Sequence, residues 1–326
     1  MSGANLDTHD VPNEKIEWIR PRTIFIVATL ALAAYVLIPQ LVQARGFVEQ
    51  VKHAHLAWAG AAFLTAALTY IGATIGLIGA VPKRLPFRPV LVAQVASAFA
   101  NRITPARIGG MATNVRFLQR RSIPASVAIS AVGLNNLAGF VIHATLLILF
   151  GIVAGASHAI DLPLPSATTT AIVVGVVILL SGLLMAFPFG RRLLTAYLIP
   201  AIKMAWVAIA EIATSPGKLA RLFAGCALVT LSYTAGMLVS LRAFGANLPI
   251  ATAAFVYLAG AAVASAAPTP GGVGATEAAL VAAYTAVGVD AGVAFAAVLL
   301  FRLMTYWLPI LPGYLALLAM QRSGAL

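Results

Sequence analysis

Runs of about twenty apolar residues recur along this chain with almost no charge inside them. In hydrocarbon a backbone must satisfy its own N–H and C=O groups, and a helix does so within one segment. Of 326 residues, 61% are hydrophobic and 9% charged, against roughly 25% charged in soluble domains. These features define an all-α polytopic membrane protein. A polar N-terminal lead, residues 1–22, precedes a single membrane domain over 23–322. The formal charge of +12 does not imply nucleic acid, because Lys and Arg gather in short loops between apolar runs. Such loops belong in the cytoplasm, near anionic headgroups. Cys226 is alone and reads as a small packing residue, with no disulfide framework. His53-Ala54-His55 lacks a third ligand, so no metal site and no cofactor is expected.

About six full spans begin near residues 23, 56, 124, 168, 219 and 291, and Arg191 to Thr214 reads as an interfacial amphipathic segment. Val90–Ile103 is apolar but too short to cross comfortably, Pro249–Ala267 is a second apolar stretch, and each ends in a Pro/Gly element. The first element runs from Asn101 through Pro105 to Gly109 and Gly110. The second runs from Ala264 through Pro268, Pro270, Gly271, Gly272 and Gly274 to Glu277. Proline removes a donor and glycine is costly within a helix, so both elements should break it. Each is either a surface turn or the tip of a re-entrant helical hairpin whose polar backbone faces protein or a wet cavity. Short helices should follow, over Met111–Arg121 and Ala278–Val287. The free N–H groups before Ala278 suit an anion. A long span, Pro124 to about Val153, is interrupted by the polar residues Asn135-Asn136 and His143, and Asp290 introduces the last span.

The two halves match. Thr69-Tyr70 and Ser232-Tyr233 are 163 residues apart, as are Leu85-Pro86 and Leu248-Pro249. Thr104-Pro105 and Thr269-Pro270 are 165 apart, and Asn136 and Arg302 are 166 apart. Repeat 1 covers about 56–153 and repeat 2 about 219–320. If each hairpin enters and leaves on one side, every strongly basic loop and both termini are cytoplasmic, and the hairpins open to opposite sides. Inverted repeats with Gly/Pro breaks point to alternating access around a site between them.

The run Pro268 to Leu280, followed by Leu299-Leu300-Phe301-Arg302-Leu303-Met304-Thr305-Tyr306-Trp307, resembles the lysylphosphatidylglycerol synthase transmembrane (flippase-like) family. Thr104 to Gly110 with Arg116 is similar to its upstream element. The resemblance covers roughly residues 25–320. It implies a bacterial plasma-membrane protein whose relatives move aminoacylated phospholipids between leaflets, and it admits a homo-oligomer or a synthase partner. Two departures stand out. No soluble aminoacyl-transferase domain is present, and Gly110 and Asn136 stand where the family often has an acid and an Arg. A lysyl-lipid substrate is therefore not carried over.

Arg302 is mid-span, where an unpaired charge costs at least roughly 2.5–3.5 kcal/mol, and Glu277 is its nearest acid in sequence. The two form either a structural latch or a pair that a phosphate can compete for. Arg107 binds a lipid phosphate or anchors the hairpin, and Asn101 and Arg102 flank the same break. Arg116, Arg120 and Arg121 read as cytoplasmic anchors. Asn135 and Asn136 bond between helices or line a cavity. His143 reads as a bonded packing residue, and Tyr306 as interfacial aromatic or cavity wall. Pro105, Gly109, Gly110, Pro268, Pro270, Gly271, Gly272 and Gly274 shape the backbone. The expected function is movement of a phospholipid or other polar-headed lipid between leaflets, without catalysis. The rivals are an intramembrane enzyme on a lipid headgroup and a non-transporting scaffold.

Overall fold

The computed structural model describes residues 56–104, 108–156, 215–265 and 269–326. The lead, the first span, the span from Thr168, the amphipathic segment, and Pro105, Arg107 and Pro268 lie outside them. The described residues are helical: α1 Leu56–Ala80, α2 Phe87–Ile103, α3 Ile108–Arg120, α4 Ala125–Ala156, α5 Pro216–Ala243 and α6 Ile250–Ser265. A short 3-10 turn, Pro270–Gly272, then leads to α7 Ala275–Ala286, α8 Ala291–Arg302, a π turn Leu303–Trp307 and α9 Ile310–Arg322. Four stretches are long and apolar enough to cross a membrane: Ala57–Ala80, Ala125–Gly155, Pro216–Ala243 and Ala291–Arg322. The protein is a membrane protein.

The long span is one helix, and α4 runs unbroken through the polar residues Asn135, Asn136 and His143. Asn and His keep their backbone N–H, so they polarise a helix without interrupting its ladder. α7 starts at Ala275 rather than Ala278 because Glu277 reaches back to accept the Gly274 N–H at 2.7 Å. The anion expected at this helix start is thus the chain's own carboxylate.

α1 and α5 form the central crossing, and glycine sets how close they come. A β-carbon on Gly72 would stand 2.9 Å from the Val229 nitrogen, and one on Gly236 2.9 Å from the Thr65 hydroxyl. Gly76 abuts Gly225, and Gly79 abuts Leu222. The numbers of these facing residues, 65 with 236, 72 with 229, 76 with 225 and 79 with 222, each add to 301, so the helices run antiparallel. By the same rule Thr69 falls opposite Ser232, its counterpart in the 163-residue repeat, and both are buried. Hydroxyls on these two helices bond their own backbones, Thr69 to Ala66, Thr74 to Tyr70 and Thr234 to Thr230 among them. These hydroxyls therefore enter the seam already bonded.

The remaining packing is reciprocal. α2 of the first half lies on α9 of the second, where Gly313 meets Phe99 and the Phe99 and Tyr314 rings are 5.5 Å apart. α6 of the second half lies on α4 of the first, where Gly151 meets Phe255 and His143 Nε2 is 3.1 Å from the Leu258 carbonyl. His143 is thus a bonded packing residue.

Charge is segregated between the two ends. Lys83 bonds the Arg121 carbonyl and Lys218 the Pro82 carbonyl. This gathers the basic residues around the α1–α2, α3–α4 and α5 boundaries at one end. Arg242 bonds Asn247 and the Leu248 carbonyl at the other, where α6 begins. The start of α2 and the end of α3 share the basic end.

Candidate functional site

The last apolar stretch is divided by its own sequence. Pro309 has no N–H to give the carbonyl four residues back, which is that of Thr305. The ladder widens to a π turn, closed by Leu308 N–H to the Leu303 carbonyl at 2.8 Å. The Thr305 carbonyl instead accepts from Arg102 Nη2 at 2.9 Å. A proline in the second half thereby creates the acceptor that holds an arginine from the hairpin tip of the first.

One turn before, Arg302 Nε donates to Glu277 Oε1 at 2.6 Å, and the Glu277 Oε2 atom holds the Gly274 N–H. Both side chains are buried, 9% and 6% exposed. The Arg302 guanidinium sits 4.2 Å from the centroid of the Tyr306 ring, and that of Arg102 sits 5.2 Å from the same ring. Gly271, with φ of 60°, lies against the Tyr306 hydroxyl where no side chain would fit. Two arginines and one glutamate leave a surplus positive charge. Arg102 Nε and Nη1, Arg302 Nη2 and the Thr269 hydroxyl are buried without a well-formed hydrogen bond among the described residues.

Beside this cluster lies a cavity of about 400 Å³ between α1, α2, α3, α4 and α5. Tyr70, Gln94, Ser97, Asn101, Asn114 and Asn136 supply much of its polar wall. Asn101 also accepts the Gly110 N–H at 2.7 Å, and Thr104 that of Gly109 at 2.9 Å, so side chains cap the first hairpin's turn into α3. Tyr70 connects cavity and cluster, since its hydroxyl is close enough to Arg102 and Tyr233 to feel both.

Substituting Pro309→Ala should give residue 309 an N–H for the Thr305 carbonyl and release Arg102. In a double-mutant cycle followed by unfolding in detergent, Arg102→Ala should then cost about 0.5–1 kcal/mol less than in the native background.

The sequence from 24 to 313 matches the family model described as the lysylphosphatidylglycerol synthase TM region. The chain belongs to this family. No curated protein matches it. As a member of the lysylphosphatidylglycerol synthase TM family, it is a membrane protein of a lipid-acting class.

Arg302, Glu277, Arg102, Tyr306 and Gly271 come together in one cluster, and Gly274 joins it through its N–H. Asn101, Gly110 and Asn136 line the adjoining cavity. Gly109 lies in the first turn of α3 and Gly272 in the 3-10 turn before α7. Tyr70, Tyr233, Gln94, Ser97 and Asn114 complete the cavity and were not apparent as site residues from sequence. Two signals could have found them. Tyr70 and Tyr233 occupy matched repeat positions, and Gln94, Ser97 and Asn101 fall on one face of an otherwise apolar helix.

Proposed function

We propose that this family member moves a phosphate-bearing lipid between leaflets, passing the headgroup along the junction of the two hairpin tips while the acyl chains stay in the bilayer. The observation that carries the reading is the buried cluster of Arg102, Tyr306, Arg302 and Glu277, which joins both halves and holds surplus positive charge with unmet N–H donors. A phosphate can satisfy those donors, and guanidinium is the side chain suited to it. Antiparallel packing of the equivalent helices α1 and α5 supports inverted repeats, with the axis between Thr69 and Ser232. The concentration of Lys83, Arg84, Arg88, Arg120, Arg121, Lys218 and Arg221 at one end supports a cytoplasmic face there and a cytoplasmic C-terminus. In that orientation α2–α3 is a re-entrant hairpin from the cytoplasm and α6–α7 one from outside. Transport without catalysis fits the pairing of Glu277 with Arg302, which leaves that acid no free role as a base.

The test is loss of fluorescence on dithionite addition to proteoliposomes carrying tail-labelled phospholipids. Native protein should expose inner-leaflet lipid faster than empty liposomes do. Tyr306→Leu removes the ring shared by both guanidiniums and should lower the rate about tenfold or more, with the fold retained by circular dichroism. Equal rates for native protein and empty vesicles across anionic, zwitterionic and aminoacylated lipids would reject the reading.

A further inference from the structure

The two halves are alike in helix order but not in what fills them. In the first half α2 presents Gln94, Ser97 and Asn101 to the cavity, and α4 adds Asn135 and Asn136. The repeat places Tyr257, Gly260 and Ala264 of α6 at the positions of the first three, and Phe301 and Arg302 at those of the last two. There the space is closed. Tyr257 and Phe301 are 7% and 4% exposed and stack edge to face at 5.5 Å, and Leu280 is wholly buried and packs against Gly260. Among the described residues, the first half keeps a polar chamber where the second packs Tyr257, Phe301 and Leu280.

The chamber's chemistry is specific. Among the described residues no Asp, Glu, Lys or Arg lines it. Asn114 Oδ1 accepts from Gln94 and from Ser97, both at 3.1 Å, and Asn101 Oδ1 is held by the Gly110 N–H. This fixes the amides with the Asn114 and Asn101 NH2 groups and the Gln94 carbonyl without other protein partners among the described residues, beside the Tyr70 and Tyr233 hydroxyls. Alternating neutral donors and acceptors match hydroxyl groups, each of which both donates and accepts. An ammonium headgroup would find no counter-charge among the described residues of the lining, since Glu277 is committed to Arg302, and Arg102 would repel it. Met111 and Asn136 are the exposed members of the lining, on α3 and α4, and mark its mouth.

We infer that the first-half chamber is a headgroup site for an uncharged polyhydroxyl group, a glycerol, inositol or sugar, attached through a phosphate that Arg102 receives. The inference rests on the transport reading for its setting and departs from a cationic aminoacyl headgroup. The second half serves as the packed counterpart that supplies Arg302, Tyr306 and the Thr305 carbonyl.

The experiment uses proteoliposomes with tail-labelled phosphatidylglycerol, phosphatidylinositol and lysyl-phosphatidylglycerol in parallel. Both polyol lipids should move at least tenfold faster than the lysylated one. The double variant Gln94→Leu/Asn114→Leu should remove that preference, and Asn136→Leu, at the exposed mouth, should weaken it without threatening the fold. Equal or faster movement of the lysylated lipid overturns the inference and leaves lipid transport standing. If none of the three moves faster than in empty vesicles, transport itself fails. The chamber is then decided by titrating soluble dihexanoyl phosphatidylinositol into the detergent-solubilised protein. Saturable binding weakened at least tenfold by Asn136→Leu upholds the site, and no binding overturns it.

Discussion

Replacing Glu277 with leucine should cost about 3–5 kcal/mol of stability, because it strands the buried Arg302 guanidinium without the acid it pairs with and frees the Gly274 N–H. Arg302→Leu should cost a similar amount by stranding the carboxylate. The double substitution Glu277→Leu/Arg302→Leu should recover much of the loss, since two apolar side chains leave no unpaired charge in a buried place. Unfolding in mixed micelles by added sodium dodecyl sulfate, followed by circular dichroism, measures the cycle. A coupling energy near zero would mean that the two charges do not depend on one another, contrary to their 2.6 Å contact. The same double variant separates structure from transport: it should stay folded yet lose lipid movement if Arg302 contributes to phosphate recognition.

The second large effect belongs to Gly225. A β-carbon there would stand 2.6 Å from the Gly72 carbonyl oxygen and from the Gly76 Cα, and would press on the Gly76 nitrogen. These are backbone atoms of the facing helix and cannot rotate away. Gly225→Ala should therefore cost about 1–3 kcal/mol, and Gly225→Leu should prevent α1 and α5 from closing. Gly133 supplies the control, since it sits in α4 and a β-carbon added there would meet nothing within 4 Å. There Gly→Ala should be neutral or stabilise by up to about 1 kcal/mol, by restricting the unfolded chain. The yield of folded protein after detergent extraction and the unfolding midpoint report both. An unaffected Gly225→Ala would show that the seam has room the contacts do not suggest.

Much of the fold was legible because membrane helices announce themselves by length and hydropathy, and because proline and glycine act on their own backbone. The helix ends near Ile103 and Ser265 and the need for a partner at Arg302 were readable in this way. Asn135, Asn136 and His143 interrupt the apolar run but not the helix, since a polar side chain says nothing against the backbone ladder. Glu277 was recognised as Arg302's nearest acid, but its second bond, to the Gly274 N–H, fixed where α7 starts. The cavity was the least legible part. Gln94, Ser97 and Asn114 come from separate turns and helices, and each alone is an ordinary polar residue near an interface.

What the sequence determined by itself was local or periodic: helices that cross hydrocarbon, breaks at Pro and Gly, and basic loops set apart from apolar runs. Each follows from groups within a few residues of one another. Tertiary structure decided which distant groups met. It laid α1 against α5 in antiparallel register, because only glycine-lined faces let two backbones approach so closely. It handed the Thr305 carbonyl, which Pro309 could not satisfy, to Arg102 some two hundred residues earlier in the chain. It also left the first half polar and hollow while the second was closed by Tyr257 and Phe301, a difference that appears only when facing side chains compete for the same space.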